Sequence, residues 1–187
     1  MAEKNTLYLT TRTEWRNWLE SNFATEAEAW LVYPKKVTGK PRIAYNDAVE
    51  EALCFGWIDS IMKTLDSDHS QQRFTPRKSK HYSQPNTERL RWLANQNMIH
   101  PNFQSEVNRV LSEEFIFPSD ILEAIRVEST AWNNYQSFSE AYRRIRIAYI
   151  DSARRRPEEF SKRLNNFIEK TRKNQLIAGY GGIDKYY

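Results

Sequence analysis

The chain has 187 residues and a formal net charge of +4, and 40% of its residues are hydrophobic and 13% aromatic. This composition indicates a folded protein and excludes an intrinsically disordered one. No apolar run approaches the ~20 residues that span a bilayer, so no transmembrane helix is predicted. The first six residues lack the basic start and apolar stretch of a secretory signal, and we therefore expect a cytoplasmic protein.

The N-terminal part of the chain mixes helix and strand patterns. Thr13 can cap a first helix, whose core-facing stripe at helical spacing consists of Trp15, Trp18, Leu19 and Phe23. The elements predicted next are a strand over residues 27–33, a basic loop over 35–41 and a helix that begins near residue 46.

Gly56 then turns the backbone from this helix directly into a strand predicted over residues 57–65. Residues 66–70 form a polar turn, and residues 71–75 return as the second arm of a hairpin that Pro76 ends. The only cysteine, Cys54, precedes the turn and is predicted to be a buried small hydrophobe. A single cysteine also rules out a disulfide within the chain.

The second half of the chain is predicted to be helical throughout. Helices are expected from Asn86, Pro101 and Pro118, after the capping-box sequence at 137–140, and from Pro157. Residues from 179 onward are expected to form a loose tail. The prediction is therefore an α+β fold with a small antiparallel sheet packed by helices, followed by a C-terminal helical subdomain. The predicted domains are residues 1–117 and 118–187.

Two segments carry a resemblance to a known family. The sequence Ala-Leu-Cys-Phe-Gly-Trp-Ile-Asp occupies residues 52–59, and Arg-Phe-Thr-Pro-Arg follows at 73–77. Together they resemble the YdeI/OmpD-associated (bacteriocin-protection) family, which has similar segments at a similar spacing. The basic helices near the C-terminus resemble the OmpD-associated segment of the same family, so that the resemblance covers nearly the whole chain.

This resemblance implies a bacterial, non-enzymatic, cytoplasmic protein for binding or stress protection. In the family the function is linked to tolerance of antimicrobial peptides and to association with an outer-membrane porin. The partner expected is an unknown protein or, from the hairpin residues described next, a small anionic ligand. Neither the family nor the sequence defines the oligomeric state.

A candidate anion site follows from the predicted hairpin. Its turn would place Asp59 and Arg77 at the same end of the sheet, and the two lysines after the first strand would converge there if that strand ran antiparallel to the first hairpin arm. Arginine presents a planar fork of donors that suits carboxylate or phosphate. The candidate ligand-binding residues are Lys35, Lys36, Trp57, Asp59, Arg73, Thr75 and Arg77.

A purely structural role for the same residues is the alternative. Asp59 would then pair with Arg73 or Arg77 to fix the hairpin, while Trp57 fills the core. Enzyme activity, on a small anionic substrate, has less support: Asp59 is the best single acid–base candidate and His81 the next, and no nucleophile is paired with a base. No catalytic residue, metal ligand or cofactor is predicted, because metal-binding spacings and a phosphate-binding glycine loop are missing.

Nucleic-acid binding is the second alternative. Two predicted C-terminal helices are rich in cations that could follow a phosphate backbone. These residues are Arg143, Arg144, Arg146, Arg154, Arg155, Arg156, Lys162, Arg163, Lys170, Arg172 and Lys173. The acidic stretch that precedes these helices could cover part of their basic surface. The cations would then be ordinary solvated side chains with no nucleic-acid partner.

Overall fold

The computed structural model describes residues 6–187, apart from the side chains of residues 180 and 181. Five of the six residues used to argue against a secretory signal therefore lie outside the described part. The chain divides into two compact units. The N-terminal unit comprises residues up to Tyr82 together with Leu90–Leu111, and the C-terminal unit comprises Ser83–Arg89 and Ser112–Tyr187. The domain boundary between residues 117 and 118 stays a prediction.

The N-terminal unit contains a four-stranded sheet and its helices. Its elements are β1 (Thr6–Leu7), α1 (Arg12–Asn22), β2 (Ala29–Pro34), α2 (Tyr45–Cys54), β3 (Trp57–Thr64), β4 (His69–Pro76) and α4 (Gln104–Ser112, except its last residue), and α3 (Gln84–Asn95) contributes residues to both units. Thr11, rather than Thr13, caps α1. Its hydroxyl accepts a hydrogen bond from the backbone N–H of Glu14, and the Glu14 carboxylate accepts one from the backbone N–H of Thr11.

The strand order in the sheet is β1-β2-β4-β3. The hairpin β3–β4 is antiparallel as predicted, and β4 also pairs antiparallel with β2. The two-residue strand β1 pairs parallel with β2, so the sheet is mixed rather than wholly antiparallel. The prediction of an α+β fold is confirmed.

One face of the sheet forms the main core of the N-terminal unit. Side chains alternate along a strand, and on this face they belong to one buried cluster with residues of α1, α2 and α3. Its largest fully buried members are Trp15, Leu19, Leu31, Ile43, Leu53, Phe55, Trp57, Phe74, Leu90 and Leu93. Cys54 is also fully buried, as predicted.

The turn from α2 into β3 requires glycine. Gly56 has φ +68°, which side-chain-bearing residues rarely adopt. A Cβ atom at this position would lie 2.2 Å from the ring of Phe103. Both backbone conformation and packing therefore exclude a larger residue between Phe55 and Trp57.

A buried group of ion pairs joins α1 to α2. The carboxylates of Glu50 and Glu51 are fully buried, although both belong to a helix that packs in the core. Arg12 donates to both carboxylates, at 2.6 Å to Glu50, and Arg16 donates to Glu51 at 2.7 Å. Burial alone would lower the pKa of Arg12, but the two carboxylates outweigh it and raise that pKa above its ordinary value.

The C-terminal unit is helical, with its own core. Its helices are α5 (Ser119–Arg126), α6 (Ser129–Ser137), α7 (Glu140–Asp151) and α8 (Pro157–Arg172). Pro157 begins α8 as predicted. The core is built around Ile121, Ile125, Tyr135, Tyr142, Ile147 and Phe167. The predicted loose tail instead contains a short 3-10 helix, Tyr180–Tyr186, in which Ile183 and Tyr186 are buried.

Within residues 6–187, no helix is both long enough and apolar enough to cross a membrane.

The glycine turn makes a first prediction. Gly56→Ala should lower the free energy of unfolding by about 2–5 kcal/mol, from the left-handed conformation and the overlap with Phe103. Gly39→Ala is the matched control, because Gly39 has φ +65° but open space around its would-be Cβ, and it should cost only about 1–2 kcal/mol. Urea unfolding followed by tryptophan fluorescence measures both. Equal losses would show that Phe103 does not restrict this position.

The ion pairs make a second prediction. Glu51→Ala should lower the free energy of unfolding by about 3–5 kcal/mol, because it leaves the partly buried cations of Arg12 and Arg16 without their shared partner. Asp47→Ala removes a partly exposed carboxylate 3.4 Å from the same Arg12 and should cost less than about 1 kcal/mol. The same urea titration compares them, and a loss below about 1 kcal/mol for Glu51→Ala would contradict the role assigned to the buried pair.

Candidate functional site

The hairpin register places four of the seven predicted residues at one end of the hairpin. Trp57 lies opposite Pro76, and Asp59 lies opposite Phe74, so that Thr75 and Arg77 are at the same end as Asp59. Trp57 is 1% exposed and donates its indole N–H to the carbonyl of Phe23 at 3.1 Å. It therefore belongs to the core and does not form the wall of an open pocket.

The charged residues of this group bind separate partners. Asp59 accepts a hydrogen bond of 2.6 Å from the hydroxyl of Tyr45, not from an arginine. Arg73 donates to Glu28 at 2.6 Å. Arg77 donates to the carbonyl of His81 at 2.7 Å, and its guanidinium stacks on the ring of Tyr82. The structure thus corrects the pairing of Asp59 with Arg73 or Arg77 that the structural alternative assumed.

The two lysines lie at the opposite end of the sheet. β2 and β3 both pair antiparallel with β4, so they run in the same direction, and the lysines after β2 lie beside the hairpin turn. The backbone N–H of Lys35 donates to the backbone carbonyl of Asp68 at 2.8 Å, and its ammonium donates to the backbone carbonyl of Ser67 at 2.6 Å. The condition for convergence of Lys35 and Lys36 with Asp59 and Arg77, a first strand antiparallel to the first hairpin arm, is therefore not met. Binding of a ligand by each residue stays a prediction.

The structure has an open cleft at this second end, on the helix-facing side of the sheet. Its volume is about 520 Å³, and it is lined by Tyr33, Arg42, Ile43, Ala44, Tyr45, Met62 and Ser70. The end of β2, the loop before α2 and the two hairpin strands each contribute to it. Tyr45 connects it to Asp59, the one predicted residue whose hydrogen bond reaches the cleft lining.

The hydroxyl of Tyr33 is the most unusual group in the cleft lining. Tyr33 is 4% exposed, and its hydroxyl has no hydrogen-bond partner among the described residues. Burial raises the pKa of this hydroxyl above its ordinary value, and the nearby cation of Arg42 lowers it in part. A buried polar group without a partner costs roughly 1–3 kcal/mol, so a ligand group that reached this hydroxyl and paired with it would recover part of that cost.

Arg42 gives the cleft its charge. Its Nη1 donates to the carbonyl of Pro34 at 2.9 Å, and its guanidinium lies 5.9 Å from the ring centre of Tyr33. No carboxylate pairs with Arg42 within the described part of the chain. Of the residues lining the cleft, Arg42 alone carries a charge. The cleft therefore combines a cation and a phenol donor with the apolar surfaces of Ile43 and Met62.

Sequence reasoning missed Tyr33 and Arg42. Tyr33 has the pattern of an ordinary strand aromatic, and Arg42 directly follows the predicted basic loop. The pairing of β2 with β4 sets Tyr33 opposite Ser70 across 37 residues of chain, and the hydrogen bond of Arg42 to the carbonyl of Pro34 holds its guanidinium beside the end of β2. The run of cations from residue 35 to 42 was the only signal available in the sequence.

Internal ion pairs engage part of the basic C-terminal sequence. Arg144 binds Glu88 and Glu140, Arg154 binds Asp120 and Asp151, and Lys173 binds Glu169. These cations do not form one unpaired surface for a phosphate backbone. Nucleic-acid binding stays a prediction, with fewer residues to support it.

Metal binding and thiol chemistry have little basis in this part of the molecule. No group of three or more His, Cys, Asp or Glu side chains within residues 6–187 is placed to hold a metal ion. Burial, aided by the charge of Glu51, raises the pKa of Cys54 to about 12. Its thiol is therefore protonated at neutral pH, and a thiolate nucleophile is not available.

Two family models match separate parts of the chain. Residues 114–174 match the family described as "Bacteriocin-protection, YdeI or OmpD-Associated", which confirms the predicted resemblance through the C-terminal helices. The motifs at 52–59 and 73–77 lie instead within residues 7–106, which match the family described as "Domain of unknown function (DUF8412)". No curated protein and no solved structure matches the chain. Because the second of these models covers more than half of the 187 residues, the chain belongs to the family described as "Domain of unknown function (DUF8412)".

Proposed function

We propose that this chain is a non-enzymatic cytoplasmic binding protein in bacteriocin protection, and that the cleft at Tyr33 and Arg42 binds its ligand. The match of residues 114–174 to the bacteriocin-protection family supports the general role. The buried, unpartnered hydroxyl of Tyr33 beside the cleft is the observation that carries the binding site.

The ligand proposed is an organic anion with an apolar body. A carboxylate or phosphate group would accept hydrogen bonds from the Tyr33 hydroxyl and the Arg42 guanidinium, which is a strong, charge-assisted arrangement. Ile43, Ala44 and Met62 would contact the apolar part. Most ligand pockets share this composition, with a few polar groups that orient the ligand against apolar walls.

The ligand's carboxylate has two possible sources. A small free acid supplies one, and so does the C-terminus of a peptide, which is the chemistry expected of an antimicrobial peptide or its fragment. Both would place the same oxygen atoms between Tyr33 and Arg42. Comparing a peptide acid with the same peptide as its C-terminal amide separates the two sources.

The site is tested by thermal unfolding with hexanoate, benzoate, phenyl phosphate and a short apolar peptide in acid and amide forms. A ligand at a hundredfold excess over its dissociation constant should stabilise the protein by about 2.7 kcal/mol, which raises the melting temperature by a few degrees. Arg42→Ala should abolish this rise. Arg77→Ala, from the group first predicted by sequence, should retain it.

Two outcomes would count against this proposal. If none of the probes shifts the melting temperature, the cleft does not bind this class of ligand. If Arg77→Ala removes the shift and Arg42→Ala keeps it, the anion binds at the end of the hairpin instead. Stabilisation by the peptide acid alone would identify a peptide C-terminus as the ligand, and stabilisation by the small acids would identify a metabolite-like ligand.

Substitution of Tyr33 should change stability and ligand binding in opposite directions. Tyr33→Phe should raise the free energy of unfolding of the free protein by about 1 kcal/mol, because it removes a buried hydroxyl without a partner, and it should weaken the ligand-induced shift. Tyr82→Phe is the control. The hydroxyl of Tyr82 donates to Glu106 at 2.8 Å, so its loss should cost about 1 kcal/mol and leave binding intact. A clear loss of stability in Tyr33→Phe would show that its hydroxyl is already satisfied in solution.

A further inference from the structure

A second pocket lies within the C-terminal unit, between α7 and α8. Its volume is about 220 Å³, and its lining includes Arg146 and Tyr149 of α7, Lys162, Arg163 and Asn166 of α8, and the core residue Phe167. Lysine and arginine outnumber the one acid in the lining, Glu159, by three to one. The pocket is therefore small, positively charged and partly apolar.

Arg146 is a buried cation without an acidic partner in the described residues. It is 8% exposed, and its Nη2 donates to the carbonyl of Ile177 and to the hydroxyl of Tyr187. Its Nε is buried and has no hydrogen-bond partner there. Buried charges in proteins are normally paired, because removing an ion from water is costly. A bound anion would supply the missing charge.

The other cations differ in how they are held. Arg163 donates to Glu159 at 2.8 Å and to the carbonyl of Tyr149 at 2.7 Å, and its guanidinium stacks 3.8 Å from the ring centre of Tyr149. This fixes one wall of the pocket. Lys162 is exposed and makes no hydrogen bond or ion pair with the described residues, although its charge helps to lower the pKa of Glu159. Its ammonium lies at the rim, where it can approach a ligand.

We propose that this pocket is a second anion site, for a phosphate or carboxylate group on a small apolar body. Arg146 supplies positive charge at the buried side, Lys162 supplies it at the rim, and the amide of Asn166 adds a hydrogen-bond donor. Tyr149 and Phe167 contact the apolar part. All residues that line the pocket, except Ile177, lie within the part of the chain that matches the bacteriocin-protection family. The site does not depend on the cleft in the N-terminal unit.

The test uses the full chain carrying Arg42→Ala, so that the proposed cleft does not contribute. Phenyl phosphate and benzoate are titrated by calorimetry, and two-dimensional amide NMR with the same probes locates the binding. We expect resonances of residues 146–150 and 162–167 to shift. Lys162→Ala should weaken binding about fivefold, as expected for loss of one exposed charge contact. If the natural ligand carries a phosphate group, phenyl phosphate should bind more tightly than benzoate. If it carries a carboxylate, benzoate should bind at least as tightly as phenyl phosphate.

Lys170→Ala is the matched control on the same helix, outside the pocket lining. It should leave the affinity unchanged. An equal loss in both lysine variants would show general attraction of anions to α8 and would overturn the site. Unperturbed amide resonances around Arg146 with millimolar probe would overturn it as well, without requiring a substitution at this buried residue. Because every variant also carries Arg42→Ala, the result reports binding at this pocket alone. It therefore does not depend on whether the cleft at Tyr33 binds a ligand.

Discussion

The buried carboxylates of Glu50 and Glu51 are the constraint on which the N-terminal unit depends. Two carboxylate side chains in a packed helix are tolerated only when cations pair with them, and Arg12 and Arg16 on α1 do so. This requirement fixes α1 against α2 in position and in rotation. α2 in turn ends at Gly56, from which β3 begins without a connecting loop, so that the sheet register is tied to the same pair of helices.

Much of this fold could be predicted from local sequence. The glycine between Phe55 and Trp57 and the alternation of the following strands define the hairpin, and proline and capping residues mark most helix starts. The weakly signalled elements were missed: the two-residue strand β1 is too short to show an alternating pattern, and α6 has only a short apolar pattern. Such segments are helical or extended because of the structure that surrounds them, which their own sequence does not encode.

The candidate site was harder to predict than the fold, for a geometric reason. A hairpin shows which residues are opposite each other, but it does not show which way a third strand runs. β2 pairs with β4 rather than with β3, and this reverses the end at which Lys35 and Lys36 leave the sheet. Likewise, net positive charge in the C-terminal helices did not distinguish paired arginines such as Arg154 from the buried, acid-free Arg146. Only the partners of each cation separate structural charges from those available to a ligand.

The burial of Cys54 has a practical consequence for spectroscopy. It is the only cysteine of the chain, and its thiol is enclosed by the core and protonated at neutral pH. A cysteine introduced at an exposed position would therefore be the single site that takes up a fluorescent or spin label in the native protein, with the wild-type residue left in place. Conversely, uptake of label by Cys54 itself reports opening of the N-terminal core, so the natural sequence already contains a reporter of its own local unfolding.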